Sequence, residues 1–206
     1  ELDTEGRKGG GLVSAAGALP AGTTDQVRLT ILAVLLRGLG LPELYPQACF
    51  CLWLHEQGWL DRVKQDVAAA GKTFEHEINN LYVSGVIARA LLALDPGFAS
   101  SEAEARKRLH GQFPSPPTDI SSDQFLRIVK DALRFAGHGG KLPCTLLVLD
   151  EVQQYLGDSV ERSVLVTETV EAISKQLDAQ VMVVGAGQSA LTEIPLLQKL
   201  MDRFTV

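Results

Sequence analysis

The residues best placed to do chemistry are two adjacent carboxylates, Asp150 and Glu151, which close the apolar run Leu146-Leu147-Val148-Leu149. This order is the Walker B pattern. A carboxylate at the end of a buried strand can hold the waters of a Mg²⁺ bound to phosphates, and a second can polarise an attacking water. The same pair has a plain structural use, since negative charge suits the start of a helix such as Val152-Gln153-Gln154-Tyr155.

A second apolar run, Val181-Met182-Val183-Val184, ends in the turn Gly185-Ala186-Gly187-Gln188-Ser189. In ATPases of the additional-strand type, a polar side chain at the carboxyl end of the neighbouring strand senses the γ-phosphate. Gln188 is the candidate sensor, and Ser189 is second as a nucleotide contact. Capping of the next helix by Ser189 or Thr192 is the structural alternative. Arg203 ends the following helical pattern, where AAA+ ATPases often carry an arginine finger for a neighbouring subunit's nucleotide; a solvated arginine favourable to the helix dipole fits as well.

A phosphate-binding loop needs GxxxxGK[ST], because backbone amides wrap the phosphates while Lys reaches the terminal one. Gly71-Lys72-Thr73 has Asp66, not Gly, five residues before Gly71, and reads as a helix end followed by a fresh start. Gly139-Gly140-Lys141 is followed by Leu142 in place of the hydroxyl residue. The segment Gly187 to Leu191 resembles a GxSxG nucleophile elbow with Ser189 as nucleophile, but Leu191 replaces the second Gly and no His follows His138. A serine hydrolase is therefore the minor alternative. His55-Glu56 and His76-Glu77 begin like HExxH, with Trp59 and Asn80 at the second ligand position, so no zinc site is expected. Cys49, Cys51 and Cys144 read as buried free thiols of a reducing cytosol.

The elements that must position these groups follow from periodicity. Leu12–Ala16 reads as a short buried strand, Asp25 to Arg37 as a deeply packed helix capped by Thr24, and Pro46 to about Gly111 as helical. Within that stretch the helices are Cys49 to His55, Trp59 to Ala70 and Phe74 to Leu94. Ser121 caps Ser122 to Phe135, whose Phe125, Val129, Ala132, Leu133 and Ala136 form one apolar face. Thr145–Leu149 and Val181–Val184 are buried parallel strands joined by the crossover helix Arg162 to Leu177, and a last helix runs from Ala190 to Asp202. The expected class is α/β: a partial P-loop NTPase parallel sheet, AAA+-like, with helices on both faces and a large helical insert. One partial ATPase domain is expected over 1–206, with the first strand region in 1–20, the insert in 21–120 and the Walker B and sensor βαβ core in 121–206.

The formal net charge of −6 over 206 residues argues against a surface built to coat nucleic acid or anionic membrane. The greasiest stretch, Leu29 to Leu36, is far short of the ~20 residues a membrane span needs. No secretion signal opens the chain, and both ends read as cut.

The run Leu142 to Asp158, centred on Asp150-Glu151-Val152-Gln153-Gln154-Tyr155, resembles the Walker B region of the large P-loop ATPases of bacterial bacteriophage-exclusion (BREX) defence systems and their uncharacterised relatives. Val184 to Leu191 and Leu197 to Phe204 resemble the same proteins' sensor and following segment, and Asn79 to Ser84 and Asp95 to Ala99 fit as well. The resemblance covers roughly Leu12 to Val206. It implies ATP binding, Mg²⁺-dependent hydrolysis and a role in antiviral defence in the cytoplasm. Asp150 takes magnesium through water, Glu151 activates water, and Gln188 and Arg203 complete the set. Family members carry their phosphate-binding loop upstream of the first strand, so this chain alone is expected to be inactive. Partners are ATP and either further copies or other defence proteins; DNA contact by the parent stays open. The non-enzyme alternative is a scaffold or docking module of a multi-protein defence complex.

Overall fold

The structure, a computed structural model, describes residues 9–20, 26–116, 118–177 and 180–187. In chain order the elements are β1 (Leu12–Ala18), α1 (Val27–Gly38), α2 (Tyr45–Glu56), α3 (Leu60–Ala69), α4 (Phe74–Asn79), α5 (Gly85–Leu94) and α6 (Glu102–Gln112). There follow α7 (Ser122–Ala136), β2 (Cys144–Asp150), α8 (Val152–Leu156), α9 (Val160–Gln176) and β3 (Val181–Gly185). The chain divides into two compact units, a sheet unit of Glu1–Gly40 with Pro117–Val206 and a helical unit of Leu41–Pro116.

Among the described residues of the sheet unit, three strands run parallel in the order β1-β2-β3. Leu12 pairs with Cys144 and Ala18 with Asp150 along one side of β2, and Thr145 pairs with Val181 and Leu149 with Gly185 along the other. Because side chains alternate along a strand, Ala15, Thr145, Leu147, Leu149 and Val181 share one face, and all are buried. α1 packs on β1 and β2 and α9 on β3, and α7 lies against both of these helices. The fit of α1 on β1 is close, since a Cβ on Gly38 would come within 2.6 Å of the Ala15 Cα. The alternate residues Leu12, Leu146 and Met182 are exposed, Met182 by 66%. Helices are expected on both faces from the sequence; among the described residues they cover one. With the strand order advancing β1 to β2 to β3, right-handed crossovers put every connection on the same side.

α1 belongs to this unit, although its residues fall within the range expected for the insert. Its expected cap, Thr24, lies outside the described residues, and the helix begins at Val27 after Gln26, which offers no side-chain cap. Asp119 does that work from far along the chain, its two carboxylate oxygens each accepting a backbone N–H, from Arg28 and Leu29, at 3.0 Å. Such a cap contributes about 1 kcal/mol. α7 follows its pattern, with Ser121 and Gln124 forming a reciprocal capping box and Phe125, Val129, Ala132 and Leu133 buried.

The helical unit is built round an aromatic cluster, in which the Trp53 ring lies 5.4 Å from Trp59, 5.8 Å from Phe113 and 5.9 Å from Phe50. The single helix expected over Phe74 to Leu94 is two, broken at Asn80–Ser84. Ser84 causes the break: its hydroxyl accepts the Ile87 N–H as the cap of α5 and donates to the buried Glu77 carboxylate. The Gly71-Lys72-Thr73 segment is a helix end and a fresh start, with Gly71 left-handed at φ 71° and Thr73 accepting the His76 N–H. Cys51 is buried, and that burial outweighs the nearby Lys64 charge and pushes its thiol up to about 12, so it stays protonated and inert. Cys49 and Cys144 are half-buried, less enclosed than expected.

Candidate active site at the carboxyl edge of the sheet

β2 is the middle strand, so whatever stands at its carboxyl end is flanked by the exits of two others. Asp150 is its last residue, opposite Ala18, and its carbonyl accepts the Leu19 N–H at 2.9 Å. By the alternation of the strand, Asp150 falls on the same face as Leu146, the open one, and it is exposed. β1 contributes no polar side chain at this edge, where Gly17, Ala18 and Leu19 stand.

Glu151 is the one non-glycine residue with positive φ among the described residues, at φ 57° and ψ 28°. Glutamate has no local preference for that region, so the conformation is imposed. Three hydrogen bonds impose it. The Glu151 N–H donates to the Asp150 Oδ1 at 2.8 Å, the Val152 N–H to the Ala186 carbonyl at 3.1 Å, and the Ala186 N–H to the Leu149 carbonyl at 2.8 Å. The last two stitch the exit of β3 to the junction of β2 and α8. The turn at Glu151 thus lets α8 start at once and run beside β3. A strained residue at a functional edge is a recurrent association.

The cost can be measured. Glu151→Gly is expected to stabilise the chain by about 1 kcal/mol in urea unfolding, because glycine adopts φ > 0 freely, whereas Glu151→Ala should not. Equal midpoints for the two variants would show that the turn is unstrained.

Among the described residues no three His, Cys, Asp or Glu side chains converge as a metal cage. A cation at Asp150 would have to bring most of its ligands with it, as Mg²⁺ does with waters and substrate phosphates. The donor set fits that ion better than Zn²⁺ or Ca²⁺. Comparison with protein-family models, with curated proteins and with solved structures finds no match to this chain.

Asp150 and Glu151 are therefore brought together at the edge, next to the exit of β3. Gln188, Ser189 and Arg203 lie outside the described residues, as does the helix expected over Ala190 to Asp202. Gly139-Gly140-Lys141 precedes β2 and so sits at the amino end of the sheet. A seven-residue strand separates it from Asp150 by about 20 Å, too far to serve the same phosphates. One polar residue at the edge carries no role in the sequence reading: Gln153 lies against Gly187. Its only sequence signal is a long polar side chain two residues after Glu151.

Among the described residues no helix is long and apolar enough to cross a membrane.

Proposed function

We propose that this chain is the Walker B and sensor portion of an ATP-hydrolysing P-loop ATPase, AAA+-like and of the BREX-related kind, whose phosphate-binding loop lies upstream in a longer parent. The observation that carries the reading is the placement of Asp150 and Glu151 at the tip of the middle parallel strand, where the flanking Leu149 and Val152 are hydrogen-bonded to Ala186 at the exit of the neighbouring strand that precedes Gln188. In α/β sheets of this kind, ligands bind outside the carboxyl ends of the strands. Asp150 would hold Mg²⁺ through water, and Glu151 would accept a proton from the attacking water. Gln188 would sense the terminal phosphate, Ser189 would add a nucleotide contact, and Arg203 would reach a neighbouring copy. Bacterial antiphage defence, a cytoplasmic setting and assembly with further copies or other defence proteins belong to the same proposal.

The open face supports it. Parallel sheets are normally covered on both sides, and Leu12, Leu146 and Met182 are exposed. A unit that starts with a strand beside β3 and returns to β1 runs against the direction of the other connections, so a right-handed crossover puts its helix on the open face. The turn between that strand and helix would then stand beside Asp150, where a phosphate-binding loop is needed.

Binding of Mg²⁺-ATP, followed by calorimetry on the 206-residue chain and on the full-length parent, tests this division of labour. The parent should bind in the usual micromolar range for such enzymes, about 1 μM to 1 mM, and the chain alone at least about a hundredfold more weakly, since the loop supplies most phosphate contacts. Tight Mg²⁺-dependent binding by the chain alone would overturn the assignment of the phosphate site to another segment.

A further inference from the structure

We infer that Gln153 is a positioning residue of this site, holding the exit of β3 against the first turn of α8 and so fixing the turn that presents Glu151; the inference rests on the ATPase reading above. The first turn of α8 meets the end of β3 at two successive points on the side chains. A Cβ on Gly185 would stand 3.5 Å from the Val152 Cγ2, and a Cβ on Gly187 would stand 3.6 Å from both the Cβ and the Oε1 of Gln153. The same two segments share the Val152-to-Ala186 backbone hydrogen bond. Val152 is an apolar filler, but Gln153 brings a carboxamide, with two donors and an acceptor, to the place where the chain leaves the sheet.

Gln153 is half-buried, and its neighbour Gln154 is exposed, so the two successive glutamines are not equivalent. The left-handed turn at Glu151 is what aims the first of them at β3, because it starts the helix directly at Val152. A change at Gln153 is therefore transmitted in two directions, to the β3 exit through Gly187 and to Glu151 through one residue of helix. The carboxamide does no bond-making; its expected contribution is to keep the water-activating carboxylate in register with the exit of β3.

The test uses the full-length parent and compares Gln153→Ala, Gln153→Met and Gln153→Glu with Glu151→Gln, measuring Mg²⁺-ATP turnover, ATP Kd and Tm. Gln153→Ala and Gln153→Met should lower kcat about tenfold with Kd and Tm unchanged, the signature of a contact used after binding. Gln153→Glu, which keeps the length and the Oε1 acceptor, should recover half or more of the turnover. Full turnover in Gln153→Met alongside an inactive Glu151→Gln would show that only packing matters, overturning this inference while the ATPase reading stands. A Tm that falls in step with kcat in both truncating variants would overturn it too. Full turnover in Glu151→Gln would overturn the ATPase reading and this inference together.

Discussion

Glu151→Gln in the full-length parent is expected to bind Mg²⁺-ATP as the wild type does and to hydrolyse it about 10²–10⁴ times more slowly, the range for losing a general base. The reasoning starts from what the substitution leaves alone. Glutamine has the same shape, so the left-handed turn, its N–H bond to the Asp150 Oδ1 and the backbone stitching to Ala186 all remain. Asp150 keeps its charge, and the cation it would hold is unaffected. What disappears is the ability to accept a proton, so an effect confined to kcat isolates that role. Single-turnover hydrolysis and nucleotide affinity measured on the same sample decide the matter. Unchanged turnover would leave Asp150-Glu151 as an acidic pair at a helix start and nothing more.

Much of the sheet unit is legible in the sequence because its signals are local. The unbroken run Thr145–Leu149 specifies a buried middle strand, and β2 extends it by one residue at each end. Ser121 and Gln124 announce the start of α7, and the observed capping box agrees. What cannot be read depends on residues distant in the chain. The cap of α1 comes from Asp119, ninety or more positions from the amides it binds, so no spacing rule finds it. The break at Asn80–Ser84 arises from a serine that both caps a helix and pairs with a buried glutamate, which a helical period cannot register.

The same distinction divides the candidate site. Residue types single out the carboxylates as an acidic pair closing an apolar run, and Asp150 is indeed the last residue of β2. The backbone conformation of Glu151 is invisible, because nothing about glutamate favours positive φ. It is set by hydrogen bonds to β3, thirty-odd residues later. Gln153 is missed for a related reason: it stands where a side chain on Gly187 would meet it, and a glycine gives no signal of its neighbour.

Tyr155→Ala is expected to cost about 3–5 kcal/mol, the range for emptying a buried aromatic site, and to lower Tm by about 10 °C in a chain of this size. Tyr155 is completely buried and among the largest enclosed side chains of the molecule. Its ring lies under the Arg162 guanidinium at 5.9 Å, and the same arginine donates to the Tyr155 carbonyl at 3.2 Å. This anchoring matters because α8 has only five residues, too few to persist without tertiary contacts. Losing the ring releases the helix that fixes the turn at Glu151, so activity should fall at temperatures where the rest of the chain is still folded. Tyr155→Phe retains the ring and nearly all of the buried surface, and its activity should lose heat resistance far less than that of Tyr155→Ala. Heating the two variants of the full-length parent and following turnover, alongside helical circular dichroism of the corresponding 206-residue chains, separates the contributions. If activity and helicity are lost together in Tyr155→Ala, α8 does not open separately, and the residue serves global stability alone.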